Sequence, residues 1–159
     1  MMRSGLGACA LVLLAAVAAV VGQSDNPQVG MWRMNIPTST FSSGTGFKSA
    51  TSNIEAVIGG GVKHTVDSVY DDGTARRYDY TTTYDGRDVP VNGNSPWGDT
   101  VALSHVDANT VRTIYKSHGK VTVIQISVVS GDRKTRTVTT KGTNPAGQTV
   151  NNVSVYDRQ

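Results

Sequence analysis

From residue 30 to the C terminus, apolar and polar side chains alternate with a period of two, and no segment has a convincing apolar period of 3.6. Threonine, valine and tyrosine dominate the alternating runs, which turn residues interrupt at intervals of about 8–14 residues. Because alternate residues of a strand face opposite sides of a sheet, this pattern predicts an antiparallel all-β domain, either a sandwich or a barrel.

The connections between the predicted strands are short, and the strongest turn signal is the Asp-Gly pair at Asp72-Gly73. Sequential hairpins without a long crossover favour an up-and-down meander, and closing the meander removes its exposed edges. We therefore predict a lipocalin-like antiparallel β-barrel of about eight to ten strands. The main predicted strands are 29–36, 50–58, 61–70, 74–84, 99–105, 110–117, 120–129, 134–141 and 148–156, with one short strand around 89–91.

The N-terminal residues have the form of a processing signal. A short positive start at Arg3 precedes an apolar run over Ala8–Val21, and small residues lead to Gln23. This run is shorter than the roughly 20 residues of a membrane span, so we expect no stable membrane anchor after cleavage. We predict a signal peptide over residues 1–22, a single barrel domain over 23–159, and a secreted or periplasmic location.

Composition excludes several classes of function. The only cysteine, Cys9, leaves with the leader, so the mature chain has no disulfide and no thiol nucleophile. A formal net charge of +3 is too small to indicate nucleic acid as a partner. The basic run Arg133–Arg136 is interpreted as a solvated hairpin edge in preference to a polyanion patch. None of His64, His105 and His118 has a second histidine or a cysteine at i+2 or i+4, so we expect no metal site and no cofactor.

Strand parity predicts which side chains face the barrel interior. Leu103 is the only leucine of the mature chain, and the expected interior is rich in valine, threonine, tyrosine and histidine. On the last strand we expect Val153 and Val155 to face inward. The candidate ligand-binding residues are His64, Tyr78, Tyr80, His105 and Tyr115.

Two interpretations of this tyrosine-rich interior remain open. In the first, the lumen is partly hydrated and holds a small apolar or amphipathic molecule, whose polar end is fixed by tyrosine and histidine side chains. In the second, the tyrosines pack as cross-strand pairs and direct their hydroxyls to water at the barrel ends. In both, Trp32 is expected to plug the closed end of the barrel.

Several segments resemble a family of small secreted bacterial lipocalin-like proteins, which are largely of unknown function. The similar segments are residues 30–35 with 39–41, 84–91, 107–111, 138–144 with 147–148, and 152–156. The resemblance implies a lipocalin-type antiparallel barrel and export, and it supplies no ligand. In lipocalins that share the Gly-x-Trp sequence, an arginine of the last strand packs across the tryptophan, which here implies that Arg158 packs on Trp32.

We therefore expect a non-enzymatic binding protein with a small ligand in the lumen, which requires a cavity of a few hundred cubic ångströms. One alternative is a filled barrel that acts as a structural or interaction module and docks through Asp88–Gly98, which requires an exposed apolar surface near Trp97. Another is a barrel enzyme that uses His64 as general base and acid, which requires a buried His64 bonded to a second polar group. The oligomeric state does not follow from the sequence.

Overall fold

The protein is described here by a computed structural model that covers residues 25–42 and 44–159. Over these residues the chain forms one antiparallel sheet that curls into a nearly closed barrel, as the alternation predicts. The predicted signal peptide lies outside the described residues, as does Cys9. No helix of the described residues is long and apolar enough to cross a membrane.

The sheet contains eleven strands, two of which are only two residues long. A single 3-10 turn at Ile36–Thr38 follows the first strand. The strands are β1 (Gly30–Met34), β2 (Phe47–Val57), β3 (Gly61–Tyr70), β4 (Ala75–Thr82), β5 (Val89–Pro90), β6 (Asn92–Gly93), β7 (Thr100–His105), β8 (Thr110–Ser117), β9 (Lys120–Val129), β10 (Thr135–Thr143) and β11 (Thr149–Arg158).

The nine long strands form the predicted meander, and β1 closes it by pairing with both β2 and β11. The order around the barrel is β5-β7-β8-β9-β10-β11-β1-β2-β3-β4-β6, so β4 and β7 are not paired as neighbours. Residues 83–99 lie at this gap, where β6 pairs with β4 and β5 pairs with β7. The bounds of β3, β8 and β9 agree with the predicted ones.

The two ends of the barrel differ. We call one the closed end: it contains the start of β1 and the turns 58–60, 106–109 and 130–134. We call the other the mouth: it contains the segments 39–46, 71–74, 94–99 and 144–148. Strand register determines how far each inward side chain lies from the closed end and from the mouth.

The interior is more polar than the sequence suggests. Buried serine, threonine, asparagine, histidine and arginine side chains lie among the valines and tyrosines. On β11 the expected inward parity is wrong: Val153 is 37% exposed, and Asn152, Ser154 and Tyr156 point inward. On this strand, apolar character does not indicate which residues face inward, because the barrel interior contains polar side chains in hydrogen-bonded networks.

Candidate functional site

Four of the five candidate ligand-binding residues lie inside the barrel. His64 on β3, Tyr78 and Tyr80 on β4, and Tyr115 on β8 are all buried. The Tyr80 and Tyr115 rings meet edge to face with centroids 6.3 Å apart. Burial raises the pKa of Tyr80 to about 12, and it also raises the pKa values of Tyr78 and Tyr115. These hydroxyls therefore stay protonated at neutral pH.

The fifth candidate, His105, is not inside, and its inward placement was wrong. It is the last residue of β7 and is exposed at the closed end, while Val101 and Leu103 on the same parity are buried. Its ring stacks on Tyr84 with centroids 3.9 Å apart. The strand leaves the barrel wall at His105 to enter the turn 106–109, so parity no longer implies burial there.

His64 stands in the middle of a buried hydrogen-bond chain. Its Nε2 lies 2.6 Å from Ser52 Oγ, and its Nδ1 lies 2.6 Å from Tyr80 Oη. Burial, with a smaller contribution from the charge of Arg136, holds the pKa of His64 well below its usual value. His64 is therefore neutral at neutral pH, with one ring nitrogen donating and the other accepting. The structure thus provides the polar partner that the enzyme hypothesis requires.

Sequence reasoning missed Arg136, which is the one fully buried guanidinium among the described residues. Its Nε donates to Ser127 Oγ (2.7 Å) and its Nη1 donates to Ser52 Oγ (2.8 Å). Its Cζ lies 5.6 Å from the centroid of the Tyr156 ring. No ion pair in the described part of the chain includes this cation.

The burial of Arg136 shows that the basic run Arg133–Arg136 is not wholly solvated, as the sequence had predicted it to be. Arg133 and Lys134 are exposed in the turn, but β10 begins at Thr135, and Arg136 is 6% exposed. Strand parity could have indicated the burial of Arg136, because this residue lies on the same face of β10 as the buried Val138.

The charge of Arg136 sets the direction of the surrounding hydrogen bonds. Because arginine only donates, Ser127 Oγ and Ser52 Oγ accept from it and can direct their own protons elsewhere. Ser127 Oγ donates to Gln28 Oε1 (2.8 Å), and Ser52 Oγ is placed to donate to His64 Nε2. His64 is then protonated on Nδ1 and donates to Tyr80. The interior is therefore an ordered network around a positive charge that no carboxylate of the described residues balances.

Two small cavities border this network. The larger, about 40 Å³, is lined by Arg136, Ser52 and His64 and extends towards Tyr70 and Trp97 at the mouth. The smaller, about 20 Å³, lies towards Gln28. We call the larger one the inner cavity. Within residues 25–42 and 44–159, the barrel interior does not contain the expected lumen of a few hundred cubic ångströms, because side chains fill most of it.

Two polar atoms at the inner cavity are unsatisfied. Within the described residues, Ser68 Oγ and Tyr70 Oη are buried without a hydrogen-bond partner. Both residues line the inner cavity. A buried hydroxyl without a partner costs about 1–3 kcal/mol, so each of these atoms calls for an acceptor or donor in the cavity.

A more spacious pocket, about 250 Å³, lies at the mouth, and we call it the mouth pocket. The segments 44–45, 70–76, 95–97 and 144–148 surround it. Tyr70 and Trp97 line both the mouth pocket and the inner cavity, so these two rings separate them. Trp97 is 5% exposed, which removes the exposed apolar surface required for docking through Asp88–Gly98.

The closed end is sealed by Trp32, which is 0% exposed. Its Nε1 donates to the carbonyl of Gln28 (2.9 Å), and the Arg158 guanidinium lies 4.1 Å from the ring centroid. Arg158 also donates to the carbonyls of Arg133, Val29 and Pro27. This is the contact that the resemblance implies for Trp32 and Arg158.

The glycine of the Gly-x-Trp sequence has a steric role. Gly30 has φ of +143°, and a Cβ there would collide with Nη1 of Arg158. Glycine therefore allows Arg158 to approach the backbone at the same level as Trp32. The motif belongs to the closure of the barrel and lies away from the inner cavity.

In residues 25–42 and 44–159, no three His, Cys, Asp or Glu side chains are grouped as metal ligands. The chemistry available at the inner cavity is hydrogen bonding and charge: one guanidinium, one neutral imidazole and several hydroxyls.

Comparison with solved structures gives the class of fold. The barrel is similar to that of Echinococcus granulosus fatty-acid-binding protein 1, with a TM-score of 0.53, 14% sequence identity, and coverage of 83% of this chain and 97% of that chain. It is also similar to the fluorescent protein UnaG, with a TM-score of 0.54, 13% identity, and coverage of 86% and 100%. The protein is therefore an antiparallel barrel of the kind found in fatty-acid-binding proteins. No protein-family model matches the sequence, and no curated protein matches it significantly.

Proposed function

We propose that the protein is a non-enzymatic binding protein for a small amphipathic anion. The negative group of the ligand binds Arg136 in the inner cavity, and the remainder extends towards the mouth. The observation that carries this proposal is the buried Arg136 guanidinium, which borders a cavity and has no carboxylate partner among the described residues.

The energetics of Arg136 support an anionic ligand. Removing an ion from water costs several kcal/mol even after the protein relaxes. Two hydroxyl acceptors and a tyrosine ring offset part of this cost, since a hydrogen bond to a charged group contributes about 1.5–3 kcal/mol. A carboxylate in the cavity would pair with the charge, and it would accept a hydrogen bond from the unsatisfied Ser68 hydroxyl.

The cavity volumes limit the shape of the ligand. The inner cavity of about 40 Å³ has room for a few non-hydrogen atoms, such as a carboxylate group. The apolar body of the ligand must then pass between Tyr70 and Trp97 into the mouth pocket. Binding therefore requires these two rings to separate, as rotamer changes at binding sites commonly allow.

The similar fold supports a binding role over catalysis, since one of the similar barrels is a fatty-acid-binding protein. His64 is a weak base because its pKa is depressed, which disfavours the enzyme hypothesis at neutral pH. We also propose that the mature protein is exported, on the basis of the predicted signal peptide and the resemblance to secreted lipocalin-like proteins. Edman sequencing of secreted or periplasmic protein should start near Gln23.

Calorimetric titration with octanoate tests the binding proposal. We expect the wild-type protein to bind octanoate, and Arg136→Gln to weaken binding by about tenfold to a hundredfold, the equivalent of one hydrogen bond to a charged group. The matched control is Arg112→Gln, which removes an exposed arginine from β8. It should leave affinity unchanged.

Three outcomes would overturn the proposal: no octanoate binding by the wild type, equal binding by Arg136→Gln, or equal losses in both variants. If Arg136→Gln fails to fold, Arg136→Lys serves instead. It keeps the charge but not the planar fork, and should bind octanoate more weakly than the wild type.

A further inference from the structure

A second guanidinium, that of Arg76, faces the mouth. Arg76 lies on β4 with the inward parity of Tyr78 and Tyr80, and it lines the mouth pocket. Its Cζ lies 5.6 Å from the Tyr70 ring centroid, and its Nη1 donates to Asn94 Oδ1 (2.7 Å). No ion pair of the described residues includes Arg76, so its charge is oriented and available.

Strand register places the two cations at different depths on one path. Ser52, which accepts from Arg136, pairs with Val66, whereas Arg76 pairs with Ser68. The Arg76 guanidinium reaches further, to the level of Tyr70. Two to four residues correspond to roughly 7–13 Å along the strand direction, so the two arginines lie at different depths in the barrel.

The groups between the two cations are neutral. Ser68, Tyr70, Tyr78 and Trp97 line the inner cavity between the two levels. The nearby acid at the mouth, Asp72, is exposed and accepts a hydrogen bond from the backbone N–H of Thr74 in its own turn. That hydrogen bond is the largest cause of the lowered pKa of Asp72, with a smaller contribution from Arg76.

We infer that the ligand carries two acidic groups, of which one binds Arg136 in the inner cavity and the other binds Arg76 at the mouth. The chemical class is a dicarboxylate with a short apolar spacer that passes between Tyr70 and Trp97. This inference rests on the proposed function and makes it more specific, because a simple fatty acid would leave Arg76 without an anionic partner.

The test compares suberate with octanoate, which have the same number of carbons and differ in the second carboxylate. For the wild-type protein we expect suberate to bind about tenfold more tightly, the lower end of the range for a charged hydrogen bond, since Arg76 is only half-buried. Arg76→Gln should abolish this preference, so that the variant binds suberate and octanoate with equal affinity. Arg77→Gln is the matched control: it removes an exposed guanidinium, paired with Asp67, from the next residue on the opposite face.

The outcomes separate the two proposals. If octanoate and suberate bind equally, or if Arg76→Gln keeps the preference for suberate, the second anionic site is wrong while the role of Arg136 stands. An equal loss of preference in Arg77→Gln would also contradict it, because the effect would then be general electrostatic attraction. If neither acid binds the wild type, the proposed function itself fails, and this inference fails with it.

Discussion

Arg158 and Arg136 are two of the three described arginines that lie near aromatic rings, and their surroundings differ. At the closed end, Arg158 lies over Trp32 and donates to three backbone carbonyls, so the contact ties β11 to β1 and to the turn before β10. In the interior, Arg136 lies near Tyr156 and donates to two serine hydroxyls beside a cavity. Backbone carbonyl acceptors therefore mark Arg158 as a structural arginine, although it also borders an open pocket of about 360 Å³. The hydroxyl acceptors of Arg136, at a buried cavity, leave its charge for a ligand.

The largest effect on stability should come from Trp32→Ala. This change leaves a cavity at the closed end in place of a fully buried side chain, and it removes the ring on which Arg158 packs. It should therefore lower the free energy of unfolding by about 3–5 kcal/mol. Urea denaturation followed by circular dichroism measures it. A loss below about 1 kcal/mol, the scale of a surface change, would show that the closed end is not the stable part of the barrel.

The two arginines should respond oppositely to replacement by methionine. Arg158→Met should cost about 1–3 kcal/mol, because it leaves carbonyls without donors and removes the contact with Trp32. Arg136→Met should be neutral or stabilising, because it removes a buried charge while Ser127 and Ser52 keep the bonds that they donate. Thermal and urea unfolding of both variants measure these changes in the free energy of unfolding. A larger loss of stability in Arg136→Met than in Arg158→Met would contradict the assigned roles of the two arginines.

Acid should destabilise the interior network through His64. Its folded-state pKa is depressed, so below pH 6.5 the unfolded state binds more protons than the folded state. The stability due to neutral His64 is complete above pH 6.5 and falls as the pH drops towards the folded-state pKa, by at most about 1.4 kcal/mol per pH unit.

Unfolding free energies measured between pH 7 and pH 5 check this dependence. His64→Gln should flatten it, because the amide can accept from Ser52 and donate to Tyr80 without titrating. His118→Gln, in the exposed β8–β9 turn, is the control and should keep the wild-type slope. A slope that survives in His64→Gln would assign the pH dependence to other groups.

The smallest stability effect should be that of Tyr70→Phe at the mouth. The Tyr70 hydroxyl has no partner in the described structure, so its removal should relieve part of the cost of burying it and raise the free energy of unfolding by up to about 1 kcal/mol. The same change should weaken suberate binding a few-fold, because the Tyr70 hydroxyl lies near Arg76, where the second carboxylate is proposed to bind. A clear loss of stability without a change in affinity would make Tyr70 a structural residue.

The sequence was informative about the fold because alternation, turn chemistry and short connections all point to one meander. His64, Tyr78, Tyr80 and Tyr115 were placed correctly by parity alone. His105 was not, because parity carries no information on where a strand leaves the wall.

Arg136 could not be recognised from its neighbours, since a basic run beside a turn is normally solvated. Its burial depends on Ser127 and Ser52, which lie 9 and 84 residues away in sequence. The inward polar face of β11 was hidden for a similar reason: its acceptors and donors belong to distant parts of the chain, such as Ser42 and Thr45 around Asn152.

The most direct test of an anionic ligand at Arg136 is to observe the guanidinium itself. In ¹⁵N-labelled protein, the Nε–Hε resonances of Arg136 and Arg158 report separately on the interior and the closed end. Saturation with octanoate should shift the Arg136 resonance and leave that of Arg158 in place. An unchanged Arg136 resonance while octanoate is bound would contradict the proposed site.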